Sequence, residues 1–274
     1  MNIDQLYTYF LKCEEVSTDS RFIKKDSIFF ALKGNNFDGN DYALDALNKG
    51  AKYAIIDNSD IDNSKFIKVK NVLKTLQKLS SHHRKQLINT TIIAITGSNG
   101  KTTSKELMNC VFSFQNRTKS TIGNLNNHIG VPLTLLGIKK TTEYAIVEMG
   151  ANHLKEISFL TNLVKPDIGY ITNFGKAHLE GFGSLKGVIK GKTELFDWLI
   201  KNNKPILINA DNEIQYKYKN KQSITFSDKV KSDYIFSKSK TNDSLLVSYK
   251  DTEINSKLIG DYNFSNISAA IALG

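Results

Sequence analysis

The strongest candidate for chemistry in this sequence is a glycine-rich loop, ITGSNGKTTSKEL, at residues 95–107. It lies between a strand-like run and a helical run. Its glycines can therefore turn backbone N–H groups toward phosphate oxygens, while the helix N-terminus adds partial positive charge. In such loops a lysine reaches the outer phosphates and a hydroxyl group ligates magnesium. The predicted nucleotide-binding residues are Gly97, Ser98, Asn99, Gly100, Lys101, Thr102 and Thr103.

The spacing of this loop is unusual. Only Ser98 and Asn99 separate Gly97 from Gly100, where the common phosphate loop has four residues. Turns of the G-x-x-G type also join strands to helices in proteins that bind no ligand there. The appended Lys-Thr-Thr is what favours nucleotide binding at this position.

Two further polar residues stand at the ends of strand-like runs. Glu148 ends YAIVE, and His178 follows DIGYIT at 167–172. Each alone is equally consistent with a solvated or structural side chain. Because ligands of open α/β sheets gather at the carboxyl ends of strands, we expect both to lie near Thr102. Together they predict a two-metal site, since transfer of a phosphoryl group to an anionic acceptor requires extra cations.

Several strands and helices must position these residues. From Thr91 onward, short and nearly continuous apolar runs alternate with helical patterns, as in a parallel sheet buried on both faces. This predicts a doubly wound, mostly parallel α/β ATPase domain over residues 86–274. The apolar runs are TIIAIT, YAIVEMG, DIGYIT and PILIN. Beyond residue 220, the shorter pieces SITFS, DYIFSK, LLVSYK and INSKLIG predict added antiparallel strands, and YNFSNISAAIALG predicts a helix.

Residues 1–85 predict a separate, small α/β domain. Its strand-like runs SIFFAL, YAIID and FIKV alternate with helical patterns such as YALDALNKGA. The helical run VLKTLQKLSSHHRKQL at 72–87 leads into the second domain. Its adjacent residues His82 and His83 cannot share one helix face, so we expect exposed or capping side chains there and no metal site.

Composition excludes several classes of protein. Two widely spaced cysteines, Cys13 and Cys110, argue against a disulfide framework or a zinc site and favour a reducing cytoplasm. No apolar run approaches the ~18 residues of a membrane span, so we expect no membrane insertion. The net charge of +10 is spread along the chain without an arginine cluster, which indicates a lysine-rich surface and no nucleic-acid partner. We expect a monomer.

Several of these motifs, taken together, resemble the Mur ligases of peptidoglycan synthesis in order and spacing. They are TGSNGKTT, GNLNNHIGVPLTLL (123–136), VEMGANHLKEI (147–157), ITNFGKAHLEGFGSLKGVIKGKTELF (171–196) and NFSNISAAIAL (263–273). Residues 17–51 are similar to the UDP-substrate domain of that family. GNLNNHIGVP and MGANHLKEI favour the member that joins D-alanyl-D-alanine to UDP-N-acetylmuramoyl-tripeptide. The glycine loop alone also admits sister ligases and folylpolyglutamate synthetases.

The resemblance implies roles for the residues of the second domain. Residues 97–103 would bind ATP, and Asn266 would lie on the adenine side. Thr102 and Glu148 would hold one Mg²⁺, and His178 would ligate a second. Lys192 matches a lysine that this family carbamylates with carbon dioxide. Carbamylation requires a neutral amine, and hence a lysine whose charged form is disfavoured by burial or by neighbouring cations. Without the resemblance, Lys192 is an ordinary surface lysine.

The resemblance also implies the substrate contacts. Asn124, Asn126 and Asn127 match a loop whose amides would bind sugar, phosphate or peptide. Ser20, Arg21 and Asp38 are similar to uridine-nucleotide contacts, although Arg21 is equally consistent with a surface ion pair. The family often has DGH where this chain has DGN at 38–40, which puts any contact of that histidine in doubt.

The implied reaction is a two-step amide synthesis. A peptide carboxylate attacks the γ-phosphorus of ATP to give an acyl phosphate, and the amine of D-alanyl-D-alanine then displaces phosphate. Lys101 and the two magnesium ions would lower the charge repulsion of the first step. The family also has a C-terminal ligase domain, and this sequence ends before it, so we expect little or no turnover from this chain alone.

Three rival functions remain open, and the weakest of them is nucleic-acid binding by the basic surface. A sister ligase or a folylpolyglutamate synthetase would use different acid and amine substrates. A non-catalytic nucleotide-binding module, such as a GTP switch, would require an N-K-x-D motif after a strand, and the nearest segments, TNFGKAH and NADNE, do not supply it.

Overall fold

The structure of the chain, a computed structural model, describes residues 1–176, 178–240 and 244–274. It divides into two compact units: Met1–Ile88 with His128–Lys139, and Asn89–Asn127 with Lys140–Gly274. The sequence predicted one uninterrupted second domain from residue 86. The segment His128–Lys139 belongs to the first unit instead, because its apolar side chains, among them Leu133 and Leu136, pack into the core of that unit.

The first unit contains a four-stranded parallel sheet in the order β1-β2-β3-β4. Its elements are α1 (Ile3–Phe10), β1 (Val16–Ser17), β2 (Ile28–Phe30), a 3-10 helix (Gly39–Tyr42), α2 (Ala43–Asn48), β3 (Tyr53–Ile56), β4 (Phe66–Lys68), α3 (Val72–Gln86) and α5 (Gly130–Leu136). Asparagine side chains fix two helix starts. Asn2 forms a capping box with Gln5 at α1, and Asn71 accepts from the Lys74 N–H at α3.

His83 lies in the core of the first unit, with 3% of its surface exposed. Its Nε2 lies 2.8 Å from the Ile138 carbonyl oxygen, and its Nδ1 lies 3.0 Å from the Tyr7 hydroxyl. The expectation that His83 is exposed or capping was wrong. His83 is buried because each of its two ring nitrogens has a buried hydrogen-bond partner, the Ile138 carbonyl and the Tyr7 hydroxyl. Helix periodicity does not predict such distant partners.

The second unit is built on a nine-stranded sheet in the order β13-β12-β11-β10-β9-β8-β5-β7-β6. Its strands are β5 (Thr91–Thr96), β6 (Thr118–Ser120), β7 (Tyr144–Glu148), β8 (Ile168–Ile171), β9 (Ile206–Asn209), β10 (Ile224–Ser227), β11 (Tyr234–Lys240), β12 (Leu245–Tyr249) and β13 (Thr252–Ser256). Its helices are α4 (Lys101–Ser113), α6 (Glu156–Val164), α7 (Leu179–Phe182), α8 (Leu185–Lys201), α9 (Glu213–Tyr216) and α10 (Tyr262–Leu273). This arrangement confirms the predicted fold class.

The antiparallel part of this sheet is smaller than the sequence predicted. The antiparallel pairings are those of β11 with β12 and of β12 with β13, whereas β10 pairs parallel with β9 and with β11. The prediction was therefore wrong for SITFS, whereas DYIFSK forms the predicted antiparallel pairing with β12. The loop between β10 and β11 connects two neighbouring strands that run in the same direction. It is fixed by Asp233, whose carboxylate accepts from the Thr225 N–H and hydroxyl.

Strand β5 lies in the middle of the parallel sheet and positions the site. It pairs with β7 on one side and β8 on the other, so that Ile95 stands opposite Glu148 and Tyr170. The carboxyl ends of the three strands therefore meet beside the glycine loop. One face of the sheet is covered by α4 and α10, whose buried residues Met108 and Ile267 share a core with Ile93 and Ile95.

Within the described ranges, no helix is both long enough and apolar enough to cross a membrane.

Candidate functional site

The glycine loop between β5 and α4 requires its two glycines. Gly97 has φ +143° and Gly100 has φ +77°. A Cβ atom on Gly97 would overlap the Thr172 hydroxyl, and one on Gly100 would stand 2.8 Å from the Asn266 side-chain oxygen. The loop is thus pressed against the chain after β8 and against α10, and these positions have no room for a side chain.

Hydrogen bonds from the segment after β8 fix the loop conformation. Thr172 Oγ1 and Asn173 Nδ2 both donate to the Asn99 carbonyl oxygen, at 2.6 and 2.9 Å. The Asn173 side-chain oxygen accepts from the Asn99 N–H at 3.0 Å, and Ser98 donates its hydroxyl to the Gly175 carbonyl at 3.1 Å. Sequence reasoning did not single out Thr172 or Asn173. Their place directly after a buried strand was the available signal.

The first turn of α4 is open to an anion. Its N-cap is Gly100 in the left-handed conformation, without any side-chain hydrogen bond to the first turn. The first N–H groups of a helix have no partner within the helix, so those of α4 are left for a ligand. This is the physical basis on which phosphate groups bind to such a loop.

Lys101 folds back onto the loop. Its Nζ donates to the carbonyl oxygens of Gly97 and Ser98, at 2.9 and 3.0 Å. Burial lowers the pKa of Lys101 below its ordinary value, against an opposing effect of the Glu148 charge. The ammonium group thus lies inside the curve of the loop, where it would meet the outer phosphates of a nucleotide.

Glu148 is held at both of its carboxylate oxygens. Thr102 donates its hydroxyl to Oε2 at 2.9 Å, and Asn126 donates its side-chain amide to Oε1 at 2.8 Å. The carboxylate is almost fully buried, with 1% exposed. A hydroxyl and a carboxylate at the start of a phosphate-loop helix are hard oxygen donors of the kind Mg²⁺ prefers, so Thr102 and Glu148 fit a magnesium ion beside bound phosphates.

Lys192 is buried within α8, with 1% exposed. Its Nζ donates to the Ala151 carbonyl at 3.1 Å and lies 5.3 Å from the centre of the Phe182 ring. Burial, followed by the positive charge of Lys101, lowers the pKa of Lys192 to about 8. An amine with this pKa is partly neutral near physiological pH, which carbamylation requires.

His178 lies apart from these contacts. It precedes α7 with φ +55° and is exposed. It lines a cavity of about 520 Å³ with Asn152, His153, Glu180 and Gly181. In the described part of the chain, no group of three or more His, Cys, Asp or Glu side chains could hold a metal ion. The structure thus brings Thr102 and Glu148 into contact. Within the described residues, His178 does not contact either of them.

The predicted asparagines have different surroundings. Asn126 contacts Glu148, whereas Asn124 and Asn127 are exposed on the same loop. Asn266 is 4% exposed beneath Gly100, accepts from the Ser104 hydroxyl at 3.0 Å and donates to Asn263 at 3.0 Å. Both groups of the Asn266 amide are therefore used inside the protein, where they support the base of the glycine loop.

The candidate substrate residues of the first unit lie near the carboxyl end of β2 and the loop before it. Arg21 is exposed and forms a two-point ion pair with Asp19, and these hydrogen bonds lower the pKa of Asp19 to about 2. The carbonyl oxygen of Ser20 accepts from Lys49 Nζ at 3.0 Å. For Arg21, the ion-pair alternative is the one observed.

Asp38 belongs to a partly buried polar network, centred on Asn40, that sequence reasoning missed. Asn40 is 2% exposed and donates its side-chain amide to Asp38 and Asp57, at 2.6 and 3.0 Å. Lys33 lies 3.1 Å from Asp38 and 3.4 Å from Asp57. The asparagine in DGN therefore links Asp38, in the segment between β2 and the 3-10 helix, to Asp57 at the end of β3. Its amide supplies both a donor and an acceptor, since its oxygen accepts from the Asp57 N–H at 3.1 Å.

Comparison with known proteins agrees with this geometry. Residues 95–274 match the family model described as "Mur ligase middle domain", and residues 12–84 match the one described as "Mur ligase family, catalytic domain". The chain is 38% identical over 275 residues to the UDP-N-acetylmuramoyl-tripeptide–D-alanyl-D-alanine ligase of Buchnera aphidicola subsp. Baizongia pistaciae (strain Bp). That alignment covers 96% of this chain and 59% of the relative.

Two solved structures are similar over nearly the whole chain. MurF from Acinetobacter baumannii superposes with a TM-score of 0.85 at 28% identity, covering 99% of this chain and 64% of that one. MurF from Thermotoga maritima in complex with ADP gives 0.80 at 26% identity, covering 96% and 63%. The chain thus spans about six tenths of the length of these relatives, and the resemblance stated from the motifs is confirmed.

Proposed function

This chain belongs to the Mur ligase family, and from that membership we propose that it binds ATP and a UDP-linked peptide substrate for amide-bond synthesis. The reaction we propose joins D-alanyl-D-alanine to UDP-N-acetylmuramoyl-tripeptide. The names of the relatives described above support this choice of substrates. Both ATP and a UDP-sugar are metabolites of the cytoplasm, where we place the reaction.

The observation that carries the proposal is the contact between Thr102 and Glu148 at the start of α4. It joins the helix that would bind phosphates to the end of a neighbouring strand, so Thr102 and Glu148 would together supply oxygen ligands for a Mg²⁺ ion. Magnesium bound there would neutralise phosphate charge during attack by the substrate carboxylate. Lys101, already within the loop, would hold the transferred phosphoryl group by its positive charge.

The remaining residues have supporting roles in the proposal. Lys192, as a carbamate, would change from a cation into an anion and supply oxygen ligands for a second Mg²⁺, together with His178. The substrate carboxylate would attack the γ-phosphorus of ATP to form an acyl phosphate and release ADP. The amine of D-alanyl-D-alanine would then displace phosphate from the acyl phosphate. Asn124 and Asn127, exposed on the loop that carries Asn126, would face the peptide or sugar. Ser20, Arg21 and Asp38 would contact the uridine nucleotide.

Calorimetric binding to the intact chain tests the proposal. We expect ADP to bind in the presence of Mg²⁺ and GDP to bind far more weakly, which separates a ligase from a GTP switch. Lys101→Met should weaken ADP binding at least tenfold, whereas Lys119→Met, in β6, should not change it. UDP-N-acetylmuramoyl-tripeptide should bind, and a folate with a glutamyl tail should not. Binding of the folate and not of the UDP-peptide would favour the folylpolyglutamate synthetase alternative.

A further inference from the structure

Lys105 is a fully buried lysine that the proposed reaction does not use. It lies in α4 one turn after the phosphate loop, with 0% of its surface exposed. Its Nζ donates to the Thr121 carbonyl oxygen at 2.7 Å and pairs with the Glu106 carboxylate at 2.7 Å. Lysine is among the residues most rarely buried, because removing an ammonium group from water is costly unless it is paired. Packing alone would be served better by an apolar side chain.

The acceptor of Lys105 is connected directly to the backbone of Glu148. The Thr121 hydroxyl oxygen accepts from the Glu148 N–H at 3.0 Å, and the Thr121 N–H donates to the Ile146 carbonyl at 3.0 Å. Thr121 is 1% exposed. Lys105 therefore fixes the residue at which the chain leaves β6 and lies against the end of β7.

The same segment returns to Glu148 through Asn126. The Asn126 side chain donates to the Glu148 carboxylate, and the Asn126 carbonyl accepts from the Gly150 N–H at 2.8 Å. Thr102, on the helix that carries Lys105, donates to the other carboxylate oxygen. The contacts form a closed ring: α4 holds Glu148 directly through Thr102, and indirectly through Lys105 and the segment 121–126.

We propose that Lys105 is a positioning residue that anchors the segment 121–126 to α4, so that Thr121 and Asn126 orient Glu148 for a divalent cation. The inference rests on the proposed function, since the cation would be the Mg²⁺ of the nucleotide. Partners that orient a metal ligand typically change metal affinity by about 10- to 100-fold when they are removed. We expect an effect of that size at Lys105, although Lys105 would touch neither metal nor nucleotide.

Two measurements on the intact chain test this role with Lys105→Met and the matched control Glu106→Gln, which removes only the exposed partner. First, the metal-free protein is followed by hydrogen exchange, where Lys105→Met should speed exchange in residues 121–126 and Glu106→Gln should not. Second, Mg²⁺ is titrated into the protein with ADP present. Lys105→Met should weaken Mg²⁺ affinity about 10- to 100-fold and leave ADP binding without Mg²⁺ unchanged.

Unchanged exchange in residues 121–126 together with wild-type Mg²⁺ affinity in Lys105→Met would overturn the inference. If that variant does not fold, Thr121→Val tests the next link, because valine keeps the carbonyl that Lys105 contacts and removes the hydroxyl that accepts from the Glu148 N–H. Wild-type Mg²⁺ affinity in Thr121→Val would also overturn the inference. If the wild-type protein binds ADP without any effect of Mg²⁺, the proposed function fails instead. The exchange measurement then decides the positioning role by itself.

Discussion

Burial and the positive charge of Lys101 together lower the pKa of Lys192 to about 8, although the two lysines lie on different helices, α4 and α8. Lys101, which is held inside the glycine loop, thus also shifts the Lys192 amine toward its neutral form. Only a neutral amine attacks carbon dioxide, so the lowered pKa of Lys192, due first to burial and then to the charge of Lys101, makes its carbamylation chemically accessible.

We predict that Lys192 forms a carbamate with ¹³C-labelled bicarbonate, at an extent that rises as pH increases toward 8 and above. The physical reason is the growing neutral fraction of an amine with a lowered pKa. The measurement is a ¹³C NMR carbamate resonance. It should persist in Lys190→Met, which removes an exposed lysine two residues away, and vanish in Lys192→Met. A resonance that survives in Lys192→Met would assign the modification to another amine.

The same pKa predicts a pH dependence of stability. The folded protein releases the Lys192 proton near pH 8, whereas the unfolded chain keeps it to about 10.5, so the unfolded state binds more protons in between. The cost of burying the ammonium is complete below pH 8 and disappears as pH rises through this window. We expect wild type to gain about 1 kcal/mol more than Lys192→Met between pH 7 and pH 9.

That difference is measured by urea unfolding in buffer free of carbon dioxide, which prevents carbamylation. Comparison with Lys192→Met cancels groups that titrate in both proteins, such as Cys13, whose thiol has a pKa raised by burial to about 11. Parallel pH profiles for the two proteins would contradict the prediction.

Gly97→Ala should abolish ADP binding and destabilise the protein. A Cβ atom there would overlap the Thr172 hydroxyl, and φ is +143°. Overpacking costs about 1–3 kcal/mol, and a left-handed backbone costs about 1–2 kcal/mol more. Gly123→Ala is the matched control, since φ is +55° but nothing lies within 4 Å of its Cβ position. Thermal unfolding and ADP titration should show that Gly123→Ala has only the smaller stability loss. Equal losses in the two variants would mean that the Thr172 contact is unimportant.

In the first unit, Tyr7→Phe should cost about 1–3 kcal/mol of unfolding free energy. The Ile138 carbonyl can only accept, so His83 Nε2 must carry the proton and His83 Nδ1 must accept from the Tyr7 hydroxyl. Removing that hydroxyl leaves a buried nitrogen without its donor. Tyr9→Phe is the control, because within the described part of the chain the side chain of Tyr9 contacts the Tyr53 ring and the Lys12 ammonium through its own ring and not through its hydroxyl. Urea unfolding that gives the same loss for both variants would argue against the tautomer.

The sequence allowed the parallel sheet and the glycine loop to be predicted because both depend on local signals. Buried strands read as apolar runs, and the loop requires glycine at positions with positive φ. The parallel pairing of β10 with both of its neighbours could not be predicted, since short alternating pieces do not specify whether a neighbour is parallel. The same limit explains His83, whose partners lie 76 and 55 residues away in the sequence.

The sequence predicted several residues of the candidate site, but it did not predict most of the contacts between them. Thr102 and Glu148 were expected to meet because both stand at the carboxyl edge of one sheet, and they do. Asn126 was expected to face substrate, yet its side chain contacts Glu148. Lys105 drew no attention in the sequence because a lysine in a helix is ordinarily exposed. Burial of a charged group becomes visible only once the helix is packed.

Asn40→Asp should destabilise the first unit strongly at neutral pH. The substitution replaces the amide that donates to both Asp38 and Asp57 with a third carboxylate, and Lys33 is the cation that pairs with both aspartates. We expect a loss of about 3 kcal/mol at pH 7, the size typical of an uncompensated charge at a buried position, since residue 40 is 2% exposed. Because the new carboxyl would be protonated more readily in the folded state, the loss should shrink between pH 7 and pH 5. Asn36→Asp makes the same charge change at an exposed position and should be nearly neutral at both pH values. Urea unfolding of the two variants checks this, and a loss for Asn40→Asp that does not depend on pH would point to packing in place of charge repulsion.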